Sequence, residues 1–189
     1  HAQEERAKWD AYVAENTRVG NGPASYAQAI GEVNRLCDPR DRVVAAAGGL
    51  PAEVTANWKT LDIGTVDVEF GFSCMGYEIA GAWGAAFGRP TGQVYSMVGD
   101  GSYLMMNSEV ATSVMLALPI VVVLLDNRGF GCINRLQQAT GGKPFNNLLA
   151  SSRHVTLPAI DFAAHAASLG ARAMKVASLA ELERAVAAA

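Results

Sequence analysis

A carboxylate and an amide each follow an apolar run, and the two runs are consecutive in the sequence. Asp100 lies within residues 98–102 (VGDGS), and Asn127 lies within residues 125–129 (LDNRG), directly after the apolar stretch 120–125. Both side chains offer oxygen atoms, which are the donors that Mg²⁺ prefers and commonly shares with substrate phosphates. Taken together, the two residues predict a magnesium diphosphate site.

Glycines on both sides of Asp100 support this interpretation. Gly99 and Gly101 allow the main chain to turn sharply and to approach a ligand without a Cβ in the way. Ser102 adds a hydroxyl, and the helix predicted a few residues later can direct backbone N–H groups at an anion. A Gly-Asp-Gly tripeptide is also common in ordinary tight turns, so it acquires meaning only from its pairing with Asn127.

Apolar runs and helix-length segments alternate along the chain, and the fold that they form must position Asp100 and Asn127. The predicted strands are 42–47, 93–98, 120–125 and 172–176. The predicted helices are 2–15, 25–36, 76–87, from 107 or 108 to 116, 158–169 and 179–188. Strands separated by helices favour right-handed crossovers, and hence a three-layer α/β fold with a mostly parallel sheet and helices on both faces. Ligands of such sheets bind beyond the carboxyl ends of the strands, where Asp100 and Asn127 both lie.

Composition limits the classes of function. The chain has 189 residues, 50% of them hydrophobic, and a net charge of −3, so no basic surface for nucleic acid or an anionic membrane is indicated. The most apolar window, residues 114–125, contains Pro119 and is too short to cross a bilayer. The three cysteines form no CxxC pair, which disfavours disulfides and zinc and predicts a reducing, cytoplasmic location. We expect residues 1–22 to be a leading helix or linker and residues 23–189 to be one domain.

With both halves of the site present, the chain resembles the diphosphate-binding domain of thiamine diphosphate enzymes. The signature of that family is GDG followed, after a helix and a strand, by two asparagines, and here the second motif reads Asp126 and Asn127. The resemblance implies that Asp100 and Asn127 bind Mg²⁺ through their side chains and that Gly129 binds it through its carbonyl. Asp126 departs from the usual asparagine, and its role stays open.

The same resemblance assigns contacts to the cofactor itself. Gly101 and Ser102 would contact the diphosphate, and Gly99 belongs to the same predicted set of cofactor-binding residues. In related enzymes a bulky apolar side chain supports the bent cofactor, and in residues 70–77 (FGFSCMGY) this position falls on Met75. The backbone N–H of Met75 and the carbonyl of Ser73 would then meet the aminopyrimidine. The alternative for Met75 is an ordinary core methionine.

Three motifs narrow the resemblance within this family. Residues 73–81 (SCMGYEIAG), 98–109 (VGDGSYLMMNSE) and 124–137 (LLDNRGFGCINRLQ) look like the trihydroxycyclohexanedione hydrolases of myo-inositol catabolism, which are similar to acetolactate synthases. Such an enzyme is implied to open a cyclic 1,2-diketone by hydrolysis of the C–C bond next to a carbonyl. The implied cofactors are thiamine diphosphate and Mg²⁺. The implied assembly is a homo-oligomer, a dimer or tetramer, of the full-length protein.

The resemblance also implies that part of the active site lies elsewhere. In this family a glutamate from a separate pyrimidine-binding domain activates the cofactor, and no glutamate of this chain can be assigned that role. We therefore expect no catalytic residue here, a fragment of a longer enzyme, and no activity of the chain alone. The alternatives are an acetolactate synthase, a 2-oxoacid decarboxylase, or a non-catalytic nucleotide-binding or regulatory module. Binding of a nicotinamide cofactor is disfavoured because no GxGxxG motif follows the first predicted strand.

Overall fold

The computed structural model describes residues 1–20, 22–88 and 91–189 of the chain. The strands in these ranges are β1 (Arg42–Ala45), β2 (Val66–Val68), β3 (Val94–Gly99) and β4 (Val121–Leu125). They pair in parallel, in the spatial order β2-β1-β3-β4. The α-helices in the same ranges are α1 (Ala2–Asn16), α2 (Tyr26–Leu36), α3 (Leu50–Asn57), α4 (Tyr77–Gly88), α5 (Asp100–Met106), α6 (Ser108–Met115), α7 (Gly131–Ala139), α8 (Phe162–Ser168) and α9 (Leu179–Ala187).

The strand order changes direction between β1 and β3. The chain places β2 on one side of β1, and then β3 and β4 on the other side. In open parallel sheets a crevice forms at such a change of direction, outside the carboxyl ends of the strands, and ligands bind there. The segments that follow β1 and β3 therefore border the expected ligand crevice.

Side chains of the strands alternate between two faces of the sheet, because successive residues of a strand point in opposite directions. Val43 and Ala45 of β1 and Met97 of β3 belong to a core cluster shared with α2, α3 and α9. Val44 of β1 packs against α4, and Val98 of β3 packs with residues of α4, α5 and α6 on the same opposite face. Helices thus cover both faces, which confirms the predicted three-layer α/β fold with a parallel sheet.

Polar residues explain where several helices begin. Ser25 Oγ accepts the backbone N–H of Gln28 at 3.2 Å, and Gln28 Oε1 accepts the N–H of Ser25 at 2.8 Å. This reciprocal pair satisfies two backbone donors that the first turn of α2 leaves without partners. The side chains of Asp161 and Ser178 accept backbone N–H groups in the same way at the starts of α8 and α9.

Some predicted boundaries differ from the structure. The strand predicted at 172–176 is wrong: these residues belong to no strand, and Met174 and Val176 are exposed, because an apolar alternation does not by itself supply a neighbouring strand to pair with. The helix predicted from residue 158 begins at Phe162, where Asp161 caps it. A helix, α5, begins at Asp100 itself, whereas the sequence predicted the next helix to begin only at 107 or 108.

Helix α1, in the predicted leading segment, packs onto α3. The indole Nε1 of Trp9 donates to the carbonyl of Ala56 at 2.9 Å, and Asp10 pairs with Lys59 at 3.0 Å. Val13 of the same helix is buried. None of the helices in the described ranges is long and apolar enough to cross a membrane.

Candidate functional site

The ends of β3 and β4 lie side by side. The register pairs Gly99 with Leu125, the last residues of the two strands. The residues that follow, Asp100 on one strand and Asn127 on the other, therefore leave the sheet at the same edge. The structure thus brings together the two groups on which the predicted metal site depends.

Asp100 is a buried carboxylate with one unsatisfied oxygen. Its side chain is 5% exposed, and Oδ2 accepts the backbone N–H of Gly129 at 2.8 Å. Oδ1 is buried and has no hydrogen-bond partner among the described residues. Burial, and next the charge of Asp126, raise the pKa of Asp100, although the backbone N–H groups of Gly129 and Asn127 act in the opposite direction. A bound cation would remove this conflict because it would stabilise the ionised form.

Asn127 also has a buried oxygen without a partner. Its amide nitrogen Nδ2 donates to the hydroxyl of Tyr26 at 2.6 Å, and Tyr26 is the first residue of α2. The other amide atom, Oδ1, has no partner in the described part of the chain. Buried polar atoms nearly always have a partner, and an unsatisfied pair at one location indicates an ion or ligand that would satisfy them. The donors fit a magnesium ion, which takes carboxylate and amide oxygens.

Gly129 has a backbone conformation that requires glycine. Its φ is +144°, and a Cβ at this position would overlap the carbonyl oxygen of Asn147. An isolated antiparallel bridge to Leu148 holds the segment in place. Its two hydrogen bonds use the carbonyls of Arg128 and Asn147, so the carbonyl of Gly129 is not one of their acceptors. The predicted third metal ligand therefore lies next to Asp100, whose Oδ2 accepts the backbone N–H of Gly129.

The predicted diphosphate residues Gly101 and Ser102 lie in the first turn of α5. A Cβ on Gly101 would come within 2.6 Å of the Phe130 ring, so the absence of a side chain permits this close approach. Ser102 is buried, and its hydroxyl contacts both oxygens of the Glu78 carboxylate at 3.0 and 2.8 Å. The same hydroxyl accepts the backbone N–H of Gly76 at 2.7 Å. Any contact between the Ser102 side chain and a diphosphate would therefore compete with Glu78.

The predicted pyrimidine residues lie in the segment just before α4. Ser73 has a φ of +53° and is exposed, whereas Met75 is half-buried, so Met75 is not a fully packed core methionine. The carboxylate of Glu69 accepts the backbone N–H groups of Phe72 at 2.8 Å and Cys74 at 2.9 Å. These bonds lower the pKa of Glu69 and hold the segment in a turn. The bond between Gly76 and Ser102 joins this turn to the edge of the sheet that carries the predicted metal ligands Asp100, Asn127 and Gly129, which we call the metal edge.

A shallow cleft opens beside Asn127, on the side of α2 and α7. Its volume is about 390 Å³, and its lining residues are Tyr26, Glu53, Asn127, Gly131, Asn134, Arg135 and Leu148. The Arg135 guanidinium lies against Gly49, where a Cβ would overlap it. The cleft thus connects the end of β4 with the loop that follows β1.

Sequence reasoning missed two residues of this region, Glu78 and Tyr26. Glu78 had a signal, because it is the one charged residue in the otherwise apolar or small-residue helix α4. Tyr26 had none, since it precedes Asn127 by 101 positions and only the packing of α2 brings it close. Asp126, whose role the sequence left open, is exposed and accepts the backbone N–H of Arg128 at 2.9 Å.

Comparison with known proteins gives consistent results. The model of the family described as "Thiamine pyrophosphate enzyme, C-terminal TPP binding domain" matches residues 46–189. A 3D-(3,5/4)-trihydroxycyclohexane-1,2-dione hydrolase of Bacillus thuringiensis is 44% identical over 163 residues, which cover 83% of this chain and 25% of the relative. A protein described as 3D-(3,5/4)-trihydroxycyclohexane-1,2-dione hydrolase 2, from Bacillus cereus, is 44% identical over the same shares of both chains. The chain therefore spans a quarter of the length of these curated relatives.

Proposed function

Because the chain belongs to the thiamine pyrophosphate enzyme family and matches the C-terminal TPP binding domain of that family, we propose that it binds thiamine diphosphate together with Mg²⁺. The observation that carries the proposal is the pair of buried oxygens without partners, Asp100 Oδ1 and Asn127 Oδ1, at adjacent strand ends. These atoms and the carbonyl of Gly129 would hold the metal ion. The ion would in turn bind the diphosphate, since Mg²⁺ commonly joins one or two protein groups to phosphate oxygens.

The remaining predicted contacts have separate roles in this proposal. The backbone around Gly99, Gly101 and Ser102 would contact the diphosphate, and the backbone of Ser73 and Met75 would contact the aminopyrimidine. When bound, the cofactor would supply a nucleophilic carbon for chemistry at a substrate carbonyl, and the residues of this chain would supply binding and orientation. Accordingly, we assign the side chains of this chain to holding the cofactor and to no step of the reaction itself.

We propose a cyclic 1,2-diketone as the substrate of the complete enzyme. The support is the similarity to trihydroxycyclohexane-1,2-dione hydrolases, at 44% identity over 83% of this chain. In that reaction the C–C bond next to a carbonyl breaks and water adds, so the ring opens to a chain that ends in a carboxylate. The proposal includes a cytoplasmic location and a homo-oligomeric assembly for the complete enzyme.

Calorimetric titration of the chain should show Mg²⁺-dependent binding of thiamine diphosphate. Because the two protein oxygens reach the diphosphate through the ion, removal of Mg²⁺ with a chelator should weaken binding by about tenfold or more. Thiamine without its diphosphate is the matched ligand control and should bind weakly whether or not Mg²⁺ is present. Equal affinity for thiamine diphosphate with and without Mg²⁺ would contradict the proposed metal site.

Replacing Tyr26 by Phe should weaken Mg²⁺ binding by about 10- to 100-fold, the range typical for residues that orient metal ligands. The tyrosine hydroxyl accepts a hydrogen bond from the amide N–H of Asn127, so the amide oxygen of Asn127 faces away from Tyr26. Titration with Mn²⁺ followed by electron paramagnetic resonance, in the presence of thiamine diphosphate, would measure the change. Tyr12→Phe is the control, since Tyr12 is exposed on α1. Equal Mn²⁺ affinities of the two variants would show that Tyr26 does not orient Asn127.

A further inference from the structure

Glu78 is a fully buried carboxylate that contacts Ser102 of the candidate site. It is the second residue of α4 and is 0% exposed. Oε1 accepts the backbone N–H of Ala47 at 3.0 Å, and Oε2 accepts the N–H of Gly76 at 2.9 Å. The hydroxyl of Ser102 lies within hydrogen-bond distance of both oxygens. One side chain therefore joins the segment after β1, the segment before α4 and the segment after β3.

In this arrangement neutral hydrogen-bond donors surround the Glu78 carboxylate in place of water and a counter-ion. The ion pairs of the described ranges do not include Glu78. A buried carboxylate is costly unless hydrogen bonds compensate for the lost hydration, and an apolar residue of similar size often serves packing at least as well. Its position in the first turn of α4 helps, because the helix dipole favours negative charge there. Packing alone therefore does not explain Glu78, whereas its contacts with the segment after β1, the segment before α4 and the first turn of α5 do.

The hydroxyl proton of Ser102 is engaged by this cluster. The hydroxyl has a single proton, which it donates to Glu78, and it accepts the N–H of Gly76. The oxygens of an ionised diphosphate only accept hydrogen bonds, so the same hydroxyl cannot donate to them while it is bonded to Glu78. The side chain of Ser102 thus serves the carboxylate, and its backbone remains available for the diphosphate.

We propose that Glu78 is a positioning residue of the cofactor site, which sets the backbone of residues 73–76 against the metal edge. This inference rests on the proposed function, because residues 73 and 75 are the predicted contacts of the aminopyrimidine. Gly76 has a φ of +94°, and the carboxylate holds its N–H while Ser102 connects the same N–H to α5. Loss of the carboxylate would release the segment that contacts the pyrimidine and leave Asp100 and Asn127 in place.

Glu78→Gln tests this role with little change in volume. The two carboxylate oxygens each accept a different backbone N–H, from Ala47 and from Gly76. An amide has one oxygen, so in either orientation its NH₂ group faces one of these donors. The variant therefore loses one of the two backbone contacts, whichever way the amide turns.

Binding of two different ligands distinguishes a positioning role of Glu78 from a general effect on the stability of the fold. Thiamine diphosphate uses both the metal edge and the segment 73–76, whereas inorganic pyrophosphate with Mg²⁺ uses the metal edge alone. For Glu78→Gln we expect calorimetry of the full chain to show about a tenfold or greater loss of affinity for thiamine diphosphate, and pyrophosphate affinity within about twofold of the original. Glu109→Gln is the matched control, because Glu109 accepts only the indole N–H of Trp83 in the described ranges, a bond that a glutamine oxygen can keep. Its affinities for both ligands should be unchanged.

The outcomes distinguish the inference from the proposed function. Equal losses of affinity for both ligands, or no loss for either, would overturn the role of Glu78 while the proposed function stands. If the unaltered chain binds neither ligand in a Mg²⁺-dependent way, both proposals are overturned. Should circular dichroism show that Glu78→Gln does not fold, Glu78→Asp keeps the negative charge but is one methylene shorter and cannot reach the N–H groups of both Ala47 and Gly76. It should lower thiamine diphosphate affinity by about threefold or more and spare pyrophosphate affinity, and the opposite pattern would overturn the inference.

Discussion

Asp100→Asn should abolish Mg²⁺-dependent binding of thiamine diphosphate and at the same time raise the melting temperature of the ligand-free chain. The substitution removes the negative charge from the metal site, and we expect affinity in the presence of Mg²⁺ to fall by about 100-fold or more. It also removes a charge that the ligand-free fold disfavours, since burial and the charge of Asp126 raise the pKa of Asp100. A binding residue that lowers stability in the absence of its ligand is a common feature of functional sites.

The sign of the stability effect follows from the direction of the pKa shift. A carboxyl group whose pKa is higher in the folded state than its ordinary value of 3.8 destabilises the fold when it is ionised. This cost is complete above the raised pKa and disappears as the pH falls below 3.8. The difference in melting temperature between Asp100→Asn and the unaltered chain should therefore be largest near neutral pH and vanish in acid. Each kcal/mol of stability corresponds to about 2–4 °C for a chain of this size.

Differential scanning fluorimetry over a range of pH, combined with calorimetry of cofactor binding, would measure both effects. Asp161→Asn is the control variant, because Asp161 caps α8 and asparagine caps helices about equally well. Its melting temperature and its affinity for the cofactor should match those of the unaltered chain. A fall in the melting temperature of Asp100→Asn at neutral pH would contradict the stability argument, and retained Mg²⁺-dependent binding would contradict the metal site.

The chain alone should show no ring opening of trihydroxycyclohexane-1,2-dione, even when it is saturated with thiamine diphosphate and Mg²⁺. The two glutamates nearest to the predicted pyrimidine segment are both engaged. Glu69 accepts the N–H groups of Phe72 and Cys74, and Glu78 is fully buried by its donors. Neither is free to activate the cofactor, so we expect that group to come from the three quarters of the relatives that this chain does not cover.

A fusion of this chain to the remaining part of the Bacillus thuringiensis relative is the positive control of this experiment. A turnover assay should show ring opening by the fusion at about 100-fold or more above the chain alone, as expected when a missing catalytic group is restored. The same fusion carrying Asp100→Asn should be inactive, which controls for activity from contaminating enzyme. Turnover by the chain alone would contradict the prediction. A fusion that acts on pyruvate and not on the cyclic diketone would contradict the proposed substrate.

Exposed apolar residues support the view that further protein covers this part of the domain. Phe70 is 64% exposed and Phe72 is 90% exposed, and both belong to the segment before α4. Clusters of large apolar side chains on a surface commonly mark a contact with other protein. The same segment carries the predicted pyrimidine contacts Ser73 and Met75, so a covering domain would also close the cofactor site.

The local sequence predicted those parts of the molecule that depend on short-range pattern. Strand β4 and helix α2 have strong signals, an unbroken apolar run in one case and the Ser25 capping residue in the other. Strand β2 has three residues with no distinctive pattern, and it forms because it can pair with β1. Residues 172–176 show the converse, since their apolar alternation finds no partner and remains outside the sheet.

By itself, the sequence determined the fold class, the family and the positions of Asp100 and Asn127 at two strand ends. The fold class and the strand ends follow from periodicity, and the family follows from the resemblance of short motifs to those of known enzymes, all of which act over a few tens of residues. Only the tertiary structure decided the side chains that surround the two groups. It brought the Tyr26 hydroxyl to Asn127, placed Glu78 in contact with Ser102 of α5, and left one side-chain oxygen of Asp100 and one of Asn127 without a partner. Contacts between residues far apart in sequence depend on how helices pack on the sheet, and no local pattern encodes that packing.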